Sequence, residues 1–289
     1  LSGSISGSGD LVKQGAGNLT LSGTNTYSGT TTVSADNLTI SSDANLGTGD
    51  LILADSATLT IDGATTIDNA VVLNGSSATA NATLSGLISG TGVLIKSGTA
   101  ALTLSGSNTY SGGTLVQSGT VGYAADGSVG TGQLTLSANT LLSISGGSVL
   151  ANNILLSGTG TGISTSVNLT ISGVISGSNS LSKSGNGTLT LSGNNTYTGS
   201  TTITSGGLSI SGAENVSSDA IAIQNMGRLL VSSATTLANN IDLAGANSEV
   251  SVGSGNSVTL SGVLSGTGSL NKGDSGTLIL GGSNTYSGA

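Results

Sequence analysis

LSGSISGSGDLVKQGAGNLTLSGTNTYSGTTTV, residues 1–33, decides the fold, because the chain repeats it. It returns at residues 84–116, at 171–203 and, cut short, at 260–289. Lys13, Lys96, Lys183 and Lys272, all of the chain's lysines, hold one slot in it. Tyr27, Tyr110, Tyr197 and Tyr286 follow them at a constant spacing, and Asn25, Asn108, Asn195 and Asn284 stand just ahead of the tyrosines. A long fixed period means that each unit is a module whose apolar face is covered by its neighbours, which is the mark of a solenoid. The chain reads as one continuous segment over 1–289, in super-repeats 1–83, 84–170, 171–259 and a truncated 260–289.

Short apolar-x-apolar triplets run through every unit, among them Leu19-Thr20-Leu21, Leu59-Thr60-Ile61, Leu134-Thr135-Leu136 and Leu208-Ser209-Ile210. Such brief period-2 alternation, bounded by Gly, Asn or Asp, predicts short half-buried strands. No 3.6-residue pattern is sustained, and Gly and Thr are too dense for helix. An antiparallel sandwich would want two-residue Asn-Gly or Asp-Gly hairpins between longer strands. The turns here are mostly Ser-Gly, Gly-Thr-Gly and Asn-Thr-Tyr, which favours a parallel β-helix.

Aligned on Gly3, Gly86 and Gly173, the units keep one constant interval to Asn69, Asn152 and Asn239. From those asparagines to Gly86, Gly173 and Gly262, which open the next units, the interval grows from copy to copy. All length variation therefore falls in residues 70–85, 153–172 and 240–261, expected at a corner or loop. The constant part divides into three coils of about 22 residues, with the variable stretch as a fourth. About 13 or 14 coils at roughly 4.8 Å each predict a rod on the order of 65 Å long. Stacked coils also explain why there is no proline, since nearly every N–H has a ladder partner. Sparse charge fits as well, because like charges stacked along a rod repel.

Composition narrows function. The 49 glycines and the Ser/Thr/Asn bias would suggest disorder were the aliphatics not patterned. A net charge of −8 repels a phosphate backbone, and without Trp or Phe there is little for bases to stack on, so nucleic acid is set aside. No Cys or His is present, which removes thiolate chemistry, disulfides and the commonest zinc ligands. No apolar run approaches the roughly 20 residues that span a bilayer, so direct membrane insertion is not expected. The missing initiator Met and the abrupt end read as a piece of a longer array.

The stretch G-x-G-x-L-x-K-x-G-x-G-x-L-T-L-S-G-x-N-T-Y-S-G-x-T resembles the passenger-associated, or autotransporter-associated, β-strand repeat of bacterial surface proteins. It is carried by residues 7–31, by 90–114 with Ala100 where Gly is usual, by 173–201 with Asn179 replacing the second glycine, and by 266–289 with shifted glycines. The resemblance covers rather less than half of the chain. It implies a right-handed parallel β-helix, the exported part of a Gram-negative surface or secreted protein; joined to the coil count above, the expected fold is all-β, a right-handed parallel β-helix of four-coil super-repeats. It implies no particular ligand, because the repeat is a scaffold.

Candidate chemistry weighs little beside this. Gly273-Asp274-Ser275-Gly276 looks like a serine-protease nucleophile loop, but no histidine exists to serve as base. Gly90-Thr91-Gly92-Val93-Leu94-Ile95-Lys96-Ser97 has Ile95 where a phosphate loop needs glycine. Asp55, Asp62 and Asp68, and Glu214, Asp219 and Arg228, form the densest charged groups, yet neither set recurs in other units; both read as solvated corner charges and not as a glycosidase pair. No catalytic, metal or cofactor residue is expected, and none of the calcium-binding repeat type is present. The twelve repeated Lys, Asn and Tyr residues read as structural. Each Asn would make an Asx-type turn, each Tyr would pack over a corner, and each Lys would lie along the surface with its ammonium meeting carbonyls or an Asp. The chain is expected to be a non-enzymatic stalk of a surface adhesin, presenting a distal tip or mediating cell–cell or matrix contact. Adjoining segments of the same longer chain, like rods head-to-tail or side-by-side, and host or matrix surface glycans are its expected partners. A self-assembling filament subunit and a polysaccharide-degrading enzyme are the alternatives.

Overall fold

The computed structural model describes residues 1–54, 57–74 and 77–288. Among them the chain winds about 13 coils of parallel β-solenoid. Only two short 3-10 turns, Asp43–Asn45 and Ala213–Asn215, break the all-β pattern among these residues. Contacts divide the chain into two compact units, Leu1–Leu142 and Ser143–Ala289.

In the first unit, one face stacks strands Leu11–Lys13, Thr31–Val33, Leu51–Leu53, Val71–Leu73 and Ile88–Gly90, all parallel. Their registers advance by equal steps (Leu11↔Thr31↔Leu51↔Val71) and then by one shorter step (Val71↔Ile88). A second face runs Leu19–Thr20, Asp36–Ile40, the start of Ala57–Ile67, the start of Ser77–Leu84, Leu94–Ser97, Thr114–Val116 and Leu134–Leu136. Ala57–Ile67 and Ser77–Leu84 continue round a corner into a third face, where Ala101–Leu104 and then Thr120–Tyr123 stack on them. Every one of these pairings is parallel and joins successive coils, so the strands form a wound ladder and not a barrel of neighbouring hairpins.

The coil is thus shorter than the sequence suggests, Leu11 lying under Thr31 and Thr31 under Leu51. Lys13, Val33, Leu53, Leu73 and Gly90 stand in one column. Lys96 comes too late in the chain to join that column and lies in the second face, on Ala78. Within this unit the second copy thus begins one face further round. The second unit behaves alike. Lys183 stands between Ile163 and Ile203 in the column that goes on to Ile223 and Leu243, while Lys272 ends the column Leu169, Leu189, Leu208, Leu229 and Val250 on another face. The residues left over in each unit carry the chain past one more face, and averaged over three coils they mimic longer coils.

The variable stretches are whole coils. Val71↔Ile88, Ile154↔Ile175 and Ile241↔Leu264 are single coil-to-coil steps of increasing length, and they equal the three growing intervals counted in the sequence. Short coils lose corner residues, as where Ser77–Leu84 runs as one strand through a bend. Inside, aliphatics stack in columns with almost no exposure, such as Leu38, Leu59 and Val33, Leu53 in the first unit and Ile203, Ile223, Leu243 in the second. At about 25 cal/mol per Å² of apolar surface removed from water, these columns are the main stabilising term.

Candidate functional site

The repeated lysines, asparagines and tyrosines of the three complete copies are engaged between coils or in the core. Lys96 and Lys183 are fully buried and Lys13 nearly so. Each stem continues an aliphatic column, and each ammonium turns out of the core into a nest of carbonyls. Lys96 Nζ donates to the carbonyl oxygens of Ser97 (2.8 Å), Gly98 (2.6 Å) and Ser118 (3.2 Å). Lys183 Nζ donates to those of Ser184 (2.8 Å), Gly185 (2.9 Å) and Ser205 (3.1 Å), and Lys13 Nζ to those of Gly15 (2.8 Å) and Ala35 (3.1 Å). One carbonyl always comes from the coil above. The sequence leads one to expect these side chains along the surface. Carbonyls do receive them, but in the interior, because strand alternation turns the lysine position of its strand inward. Burial pushes the Lys96 ammonium below its ordinary range and that of Lys183 down to about 8. Lys272 is exposed and donates to the carbonyls of Gly273 and Asp274.

The asparagines form no local Asx turn. Asn25 Oδ1 accepts from the Ile5 N–H of the coil below (2.8 Å), and its Nδ2 donates to the Asn45 carbonyl of the coil above (2.5 Å). Asn108 bridges Ile88 and Ser128, and Asn195 bridges Ile175 and Asn215, in the same way. Asn284 accepts from the Leu264 N–H at 2.8 Å. In the three complete copies one amide so ties three coils.

Tyr27, Tyr110 and Tyr197 are core residues, not corner covers. Each hydroxyl meets the threonine one strand-start further on: Thr31, Thr114 and Thr201, the last at 2.7 Å. Burial raises the Tyr110 and Tyr197 phenols above their ordinary range. Tyr286, in the shortened copy, is half-buried. Gly47 lies over Tyr27 so closely that a Cβ there would sit 2.2 Å from the Tyr27 carbonyl oxygen and 2.6 Å from its ring.

A second set of asparagines does not stand out in the sequence. Asn45 Oδ1 accepts from the Ser41 and Ser42 N–H groups (2.9 Å each) while its Nδ2 donates to the Gly23 carbonyl (3.1 Å), and Asn215 does the same with Ser211, Gly212 and Gly193. The alignment anchors Asn69 and Asn239 also reach down a coil, Asn69 to the carbonyls of Gly47 (2.8 Å) and Gly49 (2.9 Å). Their recurrence is the available signal. In the second copy Ser128 stands where Asn45 and Asn215 do, and its buried hydroxyl finds no partner.

The passenger-associated-transport-repeat family matches residues 11–35, 94–121, 181–210 and 270–289. Each match opens on the strand that carries the lysine. The chain carries four passenger-associated-transport-repeats. Over 146 aligned residues it is 34% identical to the Adhesin BmaC autotransporter of Brucella suis biovar 1 (strain 1330), covering 45% of this chain and 4% of that protein. The chain therefore spans a small fraction of this relative's length. No solved structure matches.

Within the passenger repeats, the loops that resemble active sites serve the lysines. Gly273 and Asp274 of the protease-like loop supply the carbonyls for Lys272, and Ser251 Oγ donates to Asp274 Oδ2 (3.0 Å). Lys96 of the phosphate-loop look-alike is the buried lysine of the second passenger repeat. Asp62, Asp68, Glu214 and Asp219 are exposed, and Asp55 lies outside the described residues. Arg228 is in register with Glu249. Among the described residues, no three acidic side chains converge to hold a metal ion.

Proposed function

We propose that this chain is a non-enzymatic structural segment of a surface-exposed or secreted adhesin of a Gram-negative bacterium, a stalk that spaces adhesive parts of a longer protein from the cell. Four passenger repeats and the likeness to an autotransporter adhesin support this reading. The observation that carries it is how the repeated side chains are spent. In the three complete copies, lysine, asparagine and tyrosine are consumed by bonds between coils or within the core, which leaves adhesion to parts that vary. Adjoining segments of the same chain are its first partners.

The test is made in the parent bacterium. Antibodies to this segment should label intact cells, and in-frame removal of the segment should lower adherence to cells or matrix while export persists. Labelling that requires permeabilised cells, or adherence untouched by the deletion, contradicts the proposal. Incubation of the purified chain with neutral and acidic polysaccharides should release no fragments; cleavage would make it an enzyme.

A further inference from the structure

Asparagine followed by glycine occurs twice in the chain, at Asn74-Gly75 and at Asn186-Gly187, and every other asparagine precedes a residue with a side chain. Only the second pair lies wholly within the described residues. Asn186 is the exposed apex of the turn Gly185-Asn186-Gly187, which joins strands Leu181–Ser184 and Thr188–Leu191. The matching turns of the other copies, Gly15-Ala16-Gly17, Gly98-Thr99-Ala100 and Asp274-Ser275-Gly276, hold no asparagine. Asn186 therefore fills no role that the repeat requires.

The pair carries its own chemistry. The main-chain nitrogen after an asparagine can attack that asparagine's side-chain amide carbon, and glycine, having no side chain, leaves the approach open. In this turn the attacking atom is held. The Gly187 N–H donates to the Thr165 carbonyl of the coil below at 2.9 Å. A Cβ on Gly187 would fall 2.0 Å from the Val167 carbonyl oxygen, so the main chain is closed down on that coil. From above, the Lys183 ammonium ties the carbonyls of Ser184 and Gly185 to that of Ser205 in the next coil.

We propose that Asn186 is a self-modification site, with water as its only co-reactant, whose rate is set by opening of the Gly187–Thr165 ladder bond. In the opened turn the Gly187 nitrogen gives up its proton and bonds to the Asn186 side-chain carbonyl carbon, and ammonia leaves. Water then splits the cyclic imide at either of its carbonyls. The product is aspartate or, where the main chain is rerouted through the side chain, isoaspartate; nothing is oxidised or reduced. Isoaspartate lengthens the main chain by a methylene beside Gly187, where the coil below leaves no room. The turn then cannot close again, and the Lys183 ammonium loses the carbonyls of Ser184 and Gly185. A transient opening is thereby fixed as a permanent change. The inference stands on this turn alone, so its failure leaves the stalk reading intact.

The full chain is incubated at mildly alkaline pH, folded in buffer and unfolded in urea. Peptides spanning Asn186 are followed by mass spectrometry for conversion of amide to acid, and the aspartyl and isoaspartyl forms are separated by chromatography. The unfolded chain should convert Asn186, and the folded chain should do so at least about tenfold more slowly. Hydrogen exchange at the Gly187 amide should be slowed by the same factor to within about tenfold, because one opening governs both processes. Lys183→Met, which cuts the tie to the coil above, should speed conversion in the folded chain about threefold or more. Should that variant fail to fold, the unsubstituted chain decides the matter through its two rates and its amide exchange. No conversion of Asn186 in the unfolded chain, a folded rate within about tenfold of the unfolded one, slowing that departs further from the Gly187 protection, or a folded Lys183→Met chain that converts no faster overturns the proposal.

Discussion

Replacing Asn108 by alanine removes both ends of a three-coil tie. The Ile88 N–H loses its acceptor at 2.8 Å and the Ser128 carbonyl loses its donor, and both bonds are buried. Each orphaned buried backbone group costs about 1–3 kcal/mol, so Asn108→Ala should destabilise by about 2–6 kcal/mol. Asn284 makes one part-buried bond to Leu264, and Asn284→Ala should cost only about 1 kcal/mol. Asn108→Asp keeps an acceptor for Ile88 but turns a second oxygen toward the Ser128 carbonyl. It should be at least as damaging at neutral pH, with the deficit shrinking as pH falls from neutral toward about 4, because burial against a carbonyl raises the folded carboxyl's pKa above that of the unfolded chain, and levelling off below it. Urea unfolding followed by circular dichroism gives the energies. Hydrogen exchange at the Ile88 amide gives the location, because a solenoid's stability is close to a sum of neighbouring-coil terms. A loss under about 1 kcal/mol for Asn108→Ala, with Ile88 exchange unchanged, would refute the claim that these amides hold the coils together.

Three further outcomes are expected. Lys183 has a folded pKa of about 8 against 10.5 for the free side chain. The unfolded chain therefore binds more protons between those values, and stability should rise as pH climbs through that window, then level off. The three carbonyls around the ammonium favour its charged form, so the rise should be about 1–2 kcal/mol and not the full linkage value; Lys183→Met should flatten this part of the curve, and a fall in stability over the same window would contradict it. Gly47→Ala must displace backbone of the coil below, and should cost about 2–3 kcal/mol with increased exchange around Tyr27; a neutral result would show that the coils are looser than described. Leu229→Ala, in the middle of an aliphatic column and fully buried, should cost about 2–5 kcal/mol by urea unfolding, and a loss under about 1 kcal/mol would place it outside the core.

Much of the fold can be read from repetition alone. The triplets mark the strands, the absence of proline and the turn types point to parallel stacking, and the variable intervals match whole coils. Coil length misleads because Lys96 occupies Lys13's place in the repeat but not its column. A sequence period records when a motif returns, not which face it returns to. Lys96 is expected outside because charge usually is, and nothing in its neighbours' names announces three carbonyls pointing at one ammonium. Asn25 suggests a local turn for a related reason: its partners are backbone groups of Ile5 and Asn45, one coil away on either side. Backbone is invisible to a reading of side chains. The Tyr27–Thr31 pair, by contrast, lies within the motif itself, and its constant spacing is a usable signal.

The advance of one face from copy to copy within a unit is the central geometric claim, and a cysteine pair tests it most directly, since the chain has no cysteine of its own. Asn271, beside Lys272, is in register with Glu249. Were the repeat to return to its old face, Asn271 would instead continue the column of Thr202, Ala222 and Asp242. Neighbouring strands about 4.8 Å apart fall within disulfide reach. Mild oxidation should close the disulfide in Glu249→Cys/Asn271→Cys and leave Asp242→Cys/Asn271→Cys as free thiols; the reverse pattern would contradict the account.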